Sequence, residues 1–347
     1  LAIAPERISQ PGQPAATGGS SAGNALERLR GLVAADLEGV NRAILAHMDS
    51  PVALIPQLAG HIVAAGGKRI RPILTLAAAR LVGYDGPHHV PLAAAVEFIH
   101  TATLLHDDVV DESALRRGRE TANAVWGNQA SVLVGDFLFS RAFQLMVEAG
   151  SLDVLRILAN ASATIAEGEV LQLTTAHDPA SGEAAYMRVI EGKTAALFAA
   201  ATEVGGVIAG RPAAESAGLG AYGRHLGIAF QLVDDVLDYE ADQGDLGKTV
   251  GDDFREGKVT LPVILAHAAG TDAERAFWAR TIGEGRQEPG DLAEATAILR
   301  RLGTFAEATA RARAHATAAK QALAPFPDGP FRQALAEVAD FCVERLS

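Results

Sequence analysis

Leu104-Leu105-His106-Asp107-Asp108-Val109-Val110-Asp111 closes an apolar stretch that begins at Ala93. With no Gly or Pro to break it, that stretch reads as a helix. Asp107 and Asp111, four apart, then share one face, while Asp108 lies about 100° round from Asp107. The same spacing returns at Asp234, Asp235 and Asp238, inside Gln231-Leu232-Val233-Asp234-Asp235-Val236-Leu237-Asp238. Like charges at i and i+4 destabilise a helix, and carboxylates on an apolar helix are costly without a neutralising partner. A single cluster of this kind can be a solvated acidic helix end. The matched pair points instead to a hard divalent cation, because magnesium takes one or two carboxylates and completes its shell with phosphate oxygens. Two carboxylate helices could grip a diphosphate through such ions.

A diphosphate also needs direct cations, and the sequence supplies them close by. Gly66-Gly67-Lys68-Arg69-Ile70-Arg71-Pro72 sets three basic residues behind a diglycine, and Arg116-Arg117-Gly118 follows the first motif. Arg offers forked hydrogen bonds to phosphate, and Lys offers a point charge. His100 lies two helical turns before Asp107 on nearly the same face, where it can be a ligand contact or a satisfied core histidine.

Composition narrows the setting. The 347-residue chain is 49% hydrophobic and only 5% aromatic, which allows a large core and favours helix over strand. A net charge of -12 argues against non-specific nucleic-acid binding, which needs a dominant basic face. The single cysteine, Cys342, permits no internal disulfide, and no signal-like segment opens the chain, so a reducing cytoplasm is expected. The most apolar candidate span, 195–210, is interrupted by Glu203 and is shorter than the ~20 residues that cross a bilayer. No transmembrane helix is expected, although transient membrane association would suit a greasy product.

Residues 1–24, rich in Pro, Gly, Ser and Ala, read as a disordered tail before one all-α unit over 25–347. Helices are expected over 25–48, 52–65, 69–83, 91–111, 128–149, 152–175, 183–209 and 213–240. Five more are expected over 259–270, 273–284, 290–302, 304–324 and 329–346. Three motif look-alikes fail on context. Lys193-Thr194 and Lys248-Thr249 lack the upstream glycine of a phosphate loop, since Met187 and Asp242 stand there. Gly218, Gly220 and Gly223 spell G-x-G-x-x-G without the preceding strand that dinucleotide binding requires. His88-His89 has no acidic partner at metal-ligand spacing and reads as a loop.

From about residue 25 to its end the chain resembles the trans-isoprenyl diphosphate synthases, in particular their long-chain octaprenyl and decaprenyl group. The blocks that carry this occur in family order: 66–72, 104–111, 116–118, Gly-Lys-Thr at 192–194, and Phe-Gln-Leu-Val-Asp-Asp-Val-Leu-Asp at 230–238. The resemblance implies the isoprenoid synthase fold, a bundle of antiparallel helices around a central cavity, usually as a homodimer. It implies magnesium, about three ions per site, bound with diphosphate. Asp107, Asp108, Asp111, Asp234, Asp235 and Asp238 match its metal ligands, with Asp234 the most direct of the second set. Arg116, Lys193 and Lys248 match the residues that hold the allylic diphosphate primer. Lys68, Arg71, His100 and Arg117 match the isopentenyl diphosphate site. Thr194 and Gln231 match positions beside the reacting carbons, and Lys258 a position near a closing loop whose spacing varies in the family.

Short-chain members tend to carry bulky aromatics four or five residues before the first Asp, where this chain has Thr103 and Ala102. A long tunnel and a product of about eight to ten units are therefore expected, with Phe137, Phe139 and Phe143 as either a floor or ordinary packing. The alternatives are a short-chain farnesyl or geranylgeranyl synthase, a terpene cyclase, or a non-catalytic helical partner. The complete second motif and the 66–72 block oppose the cyclase, and both intact clusters oppose the partner.

Overall fold

The expected periodicities become helices in the computed structural model, which describes residues 21–64, 67–116, 118–240 and 250–345. The first expected helix is two, α1 (Ser21–Leu32) and α2 (Ala34–His47), with the break at Val33. The helix therefore begins at Ser21, inside the stretch read as tail; residues 1–20 lie outside the described residues. Next come α3 (Leu54–Ala64), α4 (Ile70–Leu81) and α5 (His89–Val110), the last ending on the first aspartate motif. His89 thus belongs to a helix rather than a loop.

A two-stranded antiparallel hairpin that periodicity did not reveal follows, β1 (Leu115–Arg116) and β2 (Arg119–Glu120), with Leu115 opposite Glu120. Strands of two residues are too short to show alternation. Then come α6 (Ala122–Trp126), α7 (Asn128–Glu148) and α8 (Leu152–Thr175), whose start is capped by the Ser151 hydroxyl accepting from the Val154 N–H at 3.3 Å.

The expected helix over 183–209 contains a defect. It runs as α9 (Glu183–Ile190), a π-helical segment over Glu191–Ala195, and α10 (Ala196–Ile208). The segment packs closely against α8: a Cβ on Gly168 would lie 2.8 Å from the Lys193 backbone nitrogen, and one on Gly192 3.0 Å from the Thr164 carbonyl oxygen. Two glycines let the backbones touch where the helix widens into a π turn.

The long α11 (Ala213–Glu240) carries the second motif at its C-terminal end. The remainder is α12 (Asp252–Arg255), α13 (Leu261–Ala269), α14 (Asp272–Trp278), a second π-helical segment (Ala279–Gly283), α15 (Asp291–Arg301), α16 (Thr304–Ala322) and α17 (Pro330–Glu344). The densest packing joins α10 to α11, α5 to α7 and α11 to α16. One apolar core runs through these contacts and includes Leu76, Phe98, Phe198, Tyr222, Val233 and Trp278.

The glycines that imitated a dinucleotide motif have a packing role. A Cβ on Gly223 would sit 2.2 Å from the Phe198 carbonyl oxygen, and one on Gly220 3.0 Å from Glu203. Phe143 is 39% exposed and stacks at 6.0 Å on Phe139, while Phe137 lies under the Arg141 guanidinium at 4.8 Å; Phe137 and Phe139 pack against the core. Among the described residues one helix is long and apolar enough to cross a membrane, α7 rather than 195–210, and 39% of its most apolar window is buried in the fold.

Candidate functional site

The C-terminal ends of α5 and α11 bring the two aspartate motifs to one cleft of about 460 Å³. Asp111, Asp234 and Asp235 line it, together with Lys193, Thr194, Gln231 and Lys258. Residues more than a hundred positions apart in sequence thus share one surface.

Lys193 joins the first motif to α8. Its Nζ is 2.7 Å from Glu169 Oε2 and 3.6 Å from Asp107 Oδ2. The π segment packed against α8 carries Lys193 at this point. Burial pushes the Asp107 carboxyl above the usual carboxylate range; the Lys193 ammonium opposes that shift and Asp111 adds to it. Glu169 is raised for the same reason, by burial first and then by Asp107, against Lys193. Two carboxylates around one ammonium leave an excess of negative charge, a setting that favours a further cation. Sequence reading missed Glu169 because its one signal, a helical register facing a distant lysine, needs the fold.

The six aspartates are not equivalent. Asp108 is buried and holds Arg116, with Oδ1 accepting from Nε at 2.7 Å and lying 2.7 Å from Nη2. Arg116 therefore anchors the hairpin to the first motif. Asp235, also buried, accepts from the Tyr186 hydroxyl at Oδ2 and from Gln231 Nε2 at Oδ1, the latter at 2.8 Å. Burial pushes its carboxyl up to about 8, with Asp253 adding to the shift and the bonds from Tyr186 and Gln231 opposing it. Asp238 Oδ2 accepts from the Asp253 N–H at 3.1 Å, which ties the second motif to the start of α12. Thr194 donates its hydroxyl to Gln231 Oε1 at 2.9 Å.

Lys258 pairs with Glu256 and lies 3.8 Å from Asp253. Burial opposes its charge, yet these two carboxylates raise its pKa above that of a free lysine, so it stays an ammonium. Asp253, beside it in the cleft, was not singled out from sequence.

Three of the residues matched to the isopentenyl diphosphate site, Lys68, Arg71 and His100, lie on α4, its approach and α5. Lys68 borders a separate apolar recess with Ile70, Phe198, Phe230 and Arg345. Arg71 stacks over the Phe198 ring at 4.5 Å, and Arg345 sits over Phe230 at 5.8 Å. Arg69, between them, pairs with buried Glu97. His100 is half-buried on α5. Arg117 and Lys248 lie outside the described residues.

The two small residues expected to open a tunnel part company. Ala102 is wholly buried in the packed core. Thr103, one turn before Asp107 on the same face, is half-buried and donates its hydroxyl to the His100 carbonyl at 2.8 Å.

Comparison with known proteins places the chain in a family. The sequence profile of the polyprenyl synthetases matches residues 52–299. Over 323 residues the chain is 52% identical to the octaprenyl diphosphate synthase of Escherichia coli (strain K12), covering 92% of this chain and 99% of that relative. Its fold superposes on a decaprenyl diphosphate synthase from Rhodobacter capsulatus with a TM-score of 0.90 and 57% identity, covering 93% and 99% of the two chains. A polyprenyl synthase from Caulobacter crescentus, solved with calcium and isoprenyl diphosphate, gives a TM-score of 0.89 at 54% identity, covering 93% and 98%. The chain belongs to the polyprenyl synthetase family.

Proposed function

We propose that this protein lengthens an allylic diphosphate with successive isopentenyl diphosphate units, to a polyprenyl diphosphate of about eight to ten units. The observation that carries the reading is the cleft where Asp111 meets Asp234 and Asp235 beside Lys193. The names of the relatives, octaprenyl and decaprenyl synthases, support the long product.

The donor set fits magnesium. Among the described residues no three His, Cys, Asp or Glu side chains form a ready-made cage. Magnesium takes one or two carboxylates and completes its shell with phosphate oxygens and water, a demand that these aspartates meet. Asp107, Asp111 and Asp234 are assigned to hold about three such ions with the diphosphate, while Asp108, Asp235 and Asp238 support them through their hydrogen bonds. When bound, magnesium neutralises charge that builds on the departing diphosphate.

The chain's own residues do the rest. Lys193 and Lys258 present ammonium groups to the diphosphate, and Arg116 steadies the first motif. Thr194 and Gln231 stand beside the reacting carbons, where oxygen dipoles stabilise the allylic cation. Val189, Ile190 and Val259 line the cleft and exclude water that would quench the cation. The proton lost after the new carbon–carbon bond forms passes to the leaving diphosphate, so no protein base is needed. Radiolabelled isopentenyl diphosphate with an allylic primer and magnesium tests the reading. Extension to long products supports it, and none from folded protein refutes it.

Product length is assigned to Thr103 and not to Ala102, whose packing leaves no wall for a product. Thr103→Phe is expected to shorten the product by several units, read by chromatography; an unchanged product removes Thr103 from the assignment. The enzyme is placed in the cytoplasm as a homodimer with only transient membrane contact. Supporting the dimer, α7 exposes Leu133, Phe143 and Val147, apolar side chains that a second copy would cover. Sedimentation should give twice the chain mass, and a monomer at micromolar concentration would count against it.

A further inference from the structure

Tyr186 is 6% exposed and in sequence reads as an ordinary core aromatic of α9. Its hydroxyl nevertheless donates to Asp235 Oδ2. From there hydrogen bonds run without a gap to the cleft: Gln231 Nε2 donates to Asp235 Oδ1 at 2.8 Å, and Thr194 Oγ1 donates to Gln231 Oε1 at 2.9 Å. The chain spans α9, α11 and the π segment, three elements that must agree for it to close.

We propose that Tyr186 is a positioning residue for prenyl transfer, fastening Asp235 and, through Gln231, setting which side of the Thr194 hydroxyl faces the cleft. The bonding capacity of each group dictates the direction. An amide has one carbonyl and one NH2, so Gln231 with its nitrogen on Asp235 must turn its carbonyl to Thr194. A threonine hydroxyl has one proton, and here Gln231 takes it. Thr194 then offers only lone pairs to the cleft, the polarity that suits a carbon gaining positive charge. Without the Tyr186 hydroxyl, Asp235 Oδ2 is left buried and short of a donor, and rotation of Asp235 toward another one would release Gln231. Tyr186 itself touches no substrate in this account.

This inference rests on the prenyl-transfer reading, so its test has one arm that does not depend on activity. Tyr186→Phe keeps the ring and removes only the hydroxyl. In extension assays the variant is expected to lose about tenfold in single-turnover rate, with KM for both diphosphates within about twofold. In a Thr194→Val background the same change should have no further effect, because the relay already ends there; a purely structural role would act additively. In urea unfolding, Tyr186→Phe and Asp235→Asn should be non-additive whatever the activity. An unchanged single-turnover rate in Tyr186→Phe, or additive rate losses in an active enzyme, overturns the relay alone. A wild-type chain that extends nothing, with the Tyr186–Asp235 coupling intact, overturns the prenyl-transfer reading and the catalytic role of the relay with it.

Discussion

Lys193→Ala is expected to lower the extension rate about a thousandfold, roughly 4 kcal/mol of lost transition-state stabilisation. Lys193 serves two demands at once. It lines the cleft proposed to hold the diphosphate, and it is the ammonium between Glu169, at 2.7 Å, and Asp107, at 3.6 Å. Removing it withdraws a direct cation from the leaving group. It also leaves two partly buried carboxylates facing each other, both already raised by burial, and each is driven further toward the protonated form. A protonated Asp107 is a poor magnesium ligand, so higher magnesium should be needed for whatever activity remains. Lys193→Arg keeps the charge with a different shape and should recover part of the rate. Steady-state extension kinetics across a magnesium series checks this, with a melting curve to establish that the variant is folded. A loss of less than tenfold in a folded variant would remove Lys193 from the diphosphate site.

Gly223→Val is expected to be the most damaging single change to the fold, costing about 3 kcal/mol or more and lowering Tm by about 5 °C. Glycine in mid-helix ordinarily costs about 1 kcal/mol relative to alanine, so a larger residue would help if there were room for it. There is none: the new Cβ would stand 2.2 Å from the Phe198 carbonyl oxygen and 2.4 Å from Thr202 Oγ1. Backbone cannot step aside as a flexible side chain does, so α10 and α11 must separate. Those two helices carry Thr194's continuation on one side and the second aspartate motif on the other. Activity should therefore fall with stability. Thermal unfolding of the purified variant decides it, and a Tm within a degree of wild type would show that the helices tolerate a wider crossing.

Helix positions and both aspartate clusters were legible along the chain because each is a local pattern: apolar periodicity for the helices, and four-residue spacing for carboxylates on one face. The family blocks identified Lys193, Thr194 and Gln231 as well, and the cleft brings those three together. Ala102 shows the limit. Its distance from Asp107 along the chain suggested an open wall, but one residue along a helix is a 100° turn, and that turn sends Ala102 into the core. Tyr186, Glu169 and Asp253 carried no local signal, since a buried Tyr, a helix-face Glu and an Asp near a helix start are common on their own.

By itself, then, the sequence determined an all-α chain with two matched carboxylate helices and basic residues near them, because those features depend on spacing within one element. Only the tertiary structure decided how the six aspartates divide their work. Asp108 is spent on Arg116, and Asp235 on Tyr186 and Gln231, while Asp107 shares Lys193 with Glu169. The physical reason is that a carboxylate's role follows from which donors and charges surround it and how far water is excluded. Those neighbours come from helices far apart in the chain, set in place by glycine contacts such as Gly168 against Lys193.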